Sequence, residues 1–85
     1  MIIIACDNFE DAENNFWFFH DILELNAIIF IKNIFEHALC IEMEDDLRYI
    51  FMDYHYISIF QDMKPDIIDA EKFFEDIEDY YLMPN

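Results

Sequence analysis

The 85-residue chain contains no glycine. Glycine enters the left-handed backbone region without steric penalty, so it usually serves tight turns and helix C-termini. A chain without it must turn on Asn and Asp, whose short polar side chains tolerate that region better than other residues do. Such residues stand between the apolar runs at Asp7-Asn8, Asn26 and Asp45-Asp46. They divide the sequence into segments whose hydrophobic period can be read one at a time.

Met1–Cys6 is a continuous apolar run rich in β-branched Ile, the pattern of a strand buried on both faces. Asn8 is a candidate helix cap, and it places Asp11 at the third helical position, close to a capping box. Phe9, Ala12, Phe16, Phe19 and Leu23 then recur at helical spacing, which predicts a helix from about Phe9 to Glu24. Asp7, Glu10, Asp11 and Glu13 crowd its first turns, where the helix dipole favours acids. Asn26 is the expected left-handed terminator. Ala27–Ile31 repeats the all-apolar strand pattern. Two such runs joined by an amphipathic helix predict a βαβ unit with its strands adjacent and parallel.

Lys32–His37 reads either as a bent continuation of the strand or as one helical turn. Ala38–Glu44 alternates, with Leu39, Ile41 and Met43 on one face, and Leu47–Tyr54 is the next strand candidate. A two-residue loop at Asp45-Asp46 would set Ile41 opposite Ile50, Leu39 opposite Met52 and Cys40 opposite Phe51. His55–Met63 has no clean period: Ile57 and Ile59 fit a strand, whereas Ile59, Phe60 and Met63 fit a helical face. Lys64-Pro65 is a break, with Lys64 pushed out of the right-handed α region by the proline. Ile67 and Ile68 read as a short strand. Within Asp66–Tyr81, residues Ala70, Phe73, Phe74, Ile77, Tyr80 and Tyr81 form one helical stripe, capped by Asp66 or Asp69. The expected architecture is one compact acidic α/β domain over 1–85, with α+β as the neighbouring class: a βαβ unit, a hairpin and a C-terminal helix on one sheet.

Charge is the strongest functional signal. Twenty acidic residues face four basic ones, for a net charge of −16. The fifteen Ile and the lack of Val and Thr suit an AT-rich genome, but that bias also favours Lys, and only Lys32, Lys64 and Lys72 are present beside Arg48. A chain of this charge has no basic patch for DNA, RNA or an anionic membrane. It suits a basic partner, such as a nucleic-acid-binding protein. The N-terminal apolar run lacks a basic lead and ends at Asp7, unlike a signal peptide, and no apolar stretch approaches the roughly 20 residues that span a bilayer. Cys6 and Cys40 are isolated, which fits a reduced cytoplasmic setting, that of a host if the chain is viral.

Catalytic chemistry is poorly supplied. The Cys6-Asp7-Asn8-Phe9 turn is not a glycine-rich phosphate loop, and Asp7 would repel a phosphate. Ser58 is the only hydroxyl residue of its class, and both cysteines fall in apolar strand patterns, where thiols are inert. The Asp45-Asp46 pair reads as a solvated turn rather than an acid–base couple. His20 with Glu24, and Asp53 with His55, are spaced to share a face, yet no tight Cys/His ligand motif is present. No catalytic residue, cofactor or metal site is therefore expected.

What remains is an acid array. Glu10, Asp11 and Glu13 stand on the first helix, Glu42, Glu44, Asp45 and Asp46 at the hairpin, and Glu71, Glu75, Asp76, Glu78 and Asp79 on the last helix. Carboxylates one helical turn apart are spaced by about 5–6 Å. That is comparable to the roughly 3.4 Å per phosphate along one DNA strand. In composition the chain is similar to small phage- or virus-encoded inhibitors that imitate nucleic acid, among them anti-restriction, anti-CRISPR and glycosylase-inhibitor proteins. The likeness is one of composition and rests on no particular residue. It implies a stoichiometric inhibitor whose hairpin and last-helix acids bind a basic nucleic-acid-binding host protein. The alternative is a structural or adaptor module that homodimerises or joins a complex through exposed aromatics, with Trp17 or Phe18 facing away from the sheet.

Overall fold

A computed structural model describes residues 1–28, 30–34 and 37–81. The chain runs β1 (Ile2–Cys6), α1 (Phe9–Leu25), β2 (Phe30–Ile34), β3 (Ala38–Met43), β4 (Arg48–Asp53), β5 (Asp66–Asp69) and α2 (Ala70–Tyr81). A 3₁₀ turn at Glu44–Asp46 joins β3 to β4, and a ten-residue 3₁₀ segment, Tyr54–Met63, joins β4 to β5. The five strands form one mixed sheet in the order β2-β3-β4-β1-β5. The fold is α/β.

The expected adjacency of the first two strands is wrong. β1 pairs in parallel with β4 and with β5, and β2 lies at the far edge, antiparallel to β3. Short connections make β2, β3 and β4 an antiparallel meander, which enters the sheet as a unit. Only its outer strands can meet β1. Ile50, Phe51 and Met52 of β4 are buried, which requires a central position, whereas β2 carries Lys32 and Asn33 and suits an edge.

The two crossovers share one hand. From β1 the chain passes over one face, as α1, toward the β2 edge. From β4 it passes over the opposite face, as the 3₁₀ segment, toward the β5 edge. Reversing both face and direction preserves handedness, as the rule for parallel crossovers requires.

The sheet is apolar on both sides. Ile4, Leu39, Ile41 and Phe51 face Phe16, Phe19 and Leu23 of α1 and Phe73 and Ile77 of α2. Ile3, Ala38, Cys40, Ile50 and Met52 face Ile57 and Phe60 of the 3₁₀ segment. Opposed residues in a ladder project to the same side, so Leu39 pairs with Phe51, Cys40 with Ile50 and Ile41 with Tyr49. The expected hairpin register is therefore off by one. The loop has three residues, not two, and is closed by the Met43 N–H donating to the Leu47 carbonyl at 2.7 Å.

Local boundaries follow from capping. The Asn8 side chain accepts from the Asp11 N–H at 2.8 Å, as the sequence suggests. At the other end the left-handed residue is Ala27, with φ 56°, while Asn26 has φ −95°. The Ile28 N–H reaches the Leu23 carbonyl and the Ala27 N–H the Glu24 carbonyl, both at 3.1 Å, which is a Schellman motif. This cap takes up Asn26–Ile28, and so β2 begins at Phe30 rather than Ala27. Among the described residues, the other left-handed ones are Asp45, Asp46 and Lys64. Asp supplies the hairpin turn as expected, but Ala and Lys make the other two reversals.

Candidate functional site

The crevice outside the carboxyl ends of parallel strands is where open α/β sheets usually bind ligands. Here it lies beyond β1 and β5, between the N-termini of both helices, and Asp7, Asp11, Asp69 and Glu71 line it beside Cys6 and Asn15. Both helix starts are capped from within the chain: Asn8 accepts from the Asp11 N–H, and the Asp69 carboxylate accepts from the Glu71 N–H at 3.3 Å. The four carboxylates make this mouth hostile to phosphate. Burial pushes the Cys6 thiol up, against the Asn15 side-chain hydrogen bond, which lowers it. Cys6 and Cys40 are buried and free, in core clusters on opposite faces of the sheet.

The histidine–carboxylate pairs do not gather into one site. His20 is buried, with Nδ1 3.4 Å from Asp21 and Nε2 3.4 Å from Glu24. One ligand atom from each of these three residues falls within 4.8 Å of the others. A single ion shared by these residues would take one ring nitrogen and one oxygen from each carboxylate, so the structure groups three candidate ligands where the sequence reading expects no metal site. Asp53 pairs instead with His55, accepting from its backbone N–H at 3.0 Å and lying 2.7 Å from Nδ1. Those bonds cap the start of the 3₁₀ segment, and the backbone one, ahead of the imidazole, holds the Asp53 carboxyl below its usual range.

The nine acids singled out from the sequence fall into separate groups. Glu42 stands opposite Arg48 in the β3–β4 ladder and pairs with it at 3.1 Å. Glu44 and Asp45 border a crevice that includes Leu47, and Asp76 borders an adjoining one that also includes Leu47. The hairpin and the sheet-facing flank of α2 thus meet around one leucine. Glu71, Glu75 and Glu78 line a third groove, with Phe18 of α1 and Phe74 of α2. Asp46 and Asp79 are exposed. Among the described residues, no cation pairs with the α2 acids, and the last turn of α2 holds no basic residue.

Sequence spacing places Phe74 in the apolar stripe and Phe18 outside it. It does not show that the two rings meet between the helices, 5.3 Å apart and edge to face. The signal was the double aromatic Phe73-Phe74, which widens the stripe beyond what one sheet face can cover: Phe73 is buried and Phe74 half-buried. Trp17 and Phe18 are 41% and 51% exposed, as expected.

No family model, curated protein or solved structure matches the chain. No helix among the described residues is long and apolar enough to cross a membrane.

Proposed function

We propose that the chain is a small acidic binding protein that docks its helical layer on a basic nucleic-acid-binding protein and occupies the groove meant for nucleic acid. A phage- or virus-encoded inhibitor of a host defence or repair protein is the setting that suits such a surface. The observation that carries this reading is the outward side of α2. Glu71, Glu75 and Glu78 recur there one turn apart, exposed and without a described cation; the dipole favours the acid at Glu71, in the first turn, but disfavours Glu78, in a last turn that holds no basic residue. An exposed acid in the last turn costs roughly 0.3–1 kcal/mol. An arrangement retained against that cost is explained by a use for the charge.

The test is affinity capture from a cell lysate with the wild-type chain and with E71K/E75K/E78K side by side. The wild type is expected to retain a basic nucleic-acid-binding protein that added DNA or RNA displaces and that high salt releases. The triple variant is expected to lose it while its melting temperature holds or rises, because a lysine at position 78 suits the dipole and the lowered self-repulsion offsets the unfavourable first-turn lysine at position 71. Undiminished capture by the triple variant means the α2 face is only a solvated surface.

A second reading has an observation of its own. Ile59, Met63 and Ile67 are exposed on the 3₁₀ side of the sheet, opposite the layer that holds the α2 acids. That side fits a homodimer or adaptor contact, and self-association as the sole captured species favours it.

A further inference from the structure

The groove between the two helices is more than a charged surface, and its floor carries chemistry that phosphate imitation does not need. Its volume is about 520 Å³. Phe18 and Phe74 meet edge to face at its base, with Phe18 half exposed. Phe74 is also engaged by Phe51 and Phe73, so the aromatic surface open to the groove is chiefly that of Phe18. Glu71, Glu75 and Glu78 rim it at steps of four and three residues along α2, and Phe74 sits between the first two in sequence.

We infer that this groove is an arginine-binding cleft, and that its occupant is an arginine-bearing segment of the basic partner. The inference rests on the functional reading above and names the side chain that the acidic face takes. A guanidinium is planar and weakly hydrated, stacks on aromatic faces and pairs with carboxylates through two parallel N–H bonds. A lysine ammonium is a compact, strongly hydrated charge that gains less from a ring. Carboxylates alone attract both. Aromatic rings ringed by carboxylates favour the guanidinium. The three glutamates, spaced one turn apart, offer more than one seat, so a segment with several arginines would occupy the length of the groove.

This groove shares no lining residue with the Leu47 crevices, where Glu44 and Asp45 border aliphatic side chains and Asp76 borders Phe73, tyrosines and aliphatic side chains. Loss of binding at one need not entail loss at the other.

The experiment is calorimetric titration of the whole chain with two synthetic peptides of equal length and charge, one arginine-rich and one lysine-rich. The arginine peptide is expected to bind roughly three- to tenfold more tightly. In Phe18→Leu, and independently in Phe74→Leu, that preference should fall to about unity while the weaker, salt-sensitive attraction common to both peptides remains. Phe18 is half exposed, so its replacement leaves the core intact, and circular dichroism of each variant checks this. Equal affinity of the wild type for the two peptides overturns the arginine assignment and leaves the acidic-docking reading standing. Binding of neither peptide at low salt overturns both. A preference that survives both Phe replacements places the arginine seat elsewhere and overturns the groove.

Discussion

Arg48 and Glu42 stand directly opposite each other on β4 and β3, and their side chains meet at 3.1 Å. One of the four basic residues is therefore engaged within the ladder, and one of the nine singled-out acids is neutralised by it. Both side chains are partly exposed, so the pair is worth about 0.2–1 kcal/mol. Arg48→Gln is expected to lower stability in urea by that amount, with a coupling to Glu42→Gln that shrinks as salt rises. Glu42→Gln should leave partner affinity unchanged, in contrast to the α2 acids. A Glu42→Gln variant that loses the partner would return this residue to the docking surface.

The Schellman turn at Ala27 gives a second prediction. An L-residue in the left-handed region costs roughly 1–2 kcal/mol. Glycine removes that cost but raises the entropy of the unfolded chain, worth about 0.4–1 kcal/mol. Ala27→Gly should thus stabilise the protein by about 0.5–1 kcal/mol, while Ala27→Val should destabilise it. Chemical denaturation of both variants decides the matter, and a Gly variant less stable than the wild type would rule out a strained cap.

Stability should also fall at alkaline pH. Burial pushes the Cys40 thiol up from 9.0 to about 11, with Glu42 adding to the rise and Arg48 opposing it. The folded state therefore holds this proton more tightly than the unfolded state does. The contribution is fully present below pH 9 and is lost as pH rises through about 11, and it amounts to something on the order of 2–3 kcal/mol. Tyr49 and Tyr81 act in the same direction, both raised by burial. Cys40→Ala should flatten the decline in melting temperature over this range. A decline of unchanged steepness in that variant would assign it to the tyrosines.

Much of the fold was legible because its signals were local. Asn8 and Asp11 announced the start of α1, and the all-apolar run at Ile2–Ile4 announced a strand covered on both sides. The 3₁₀ segment is not legible, because its period is three, whereas strands and α-helices repeat at two and 3.6. Ile57 and Phe60, one such step apart, pack on the sheet, whereas Ile59, which entered both candidate patterns, is exposed. Strand order was misread for a different reason. The apolar run of Met1–Cys6 speaks of burial on both faces of the sheet, not of which strands flank it, and the short loops that settle the meander are weak signals without glycine. In the candidate site, the acids were visible as a set, but their division was not. Whether a glutamate meets Arg48, Leu47 or Phe18 depends on tertiary placement, which the i, i+3 and i+4 pattern does not encode.

The interior position of β1 bears on how the chain reaches its native state. Ile2–Cys6 is the first strand to be made, yet its ladder partners are Tyr49–Asp53 and Asp66–Asp69. No local hairpin can shelter it in the meantime. Long sequence separation between contacting residues slows folding, since loop closure must precede the contacts that reward it. The exposed Ile-rich strand is meanwhile open to pairing with other chains. Mutual repulsion among chains of net charge −16 opposes that encounter. Net charge thus works against aggregation of a sheet in which an interior strand is made before either neighbour exists.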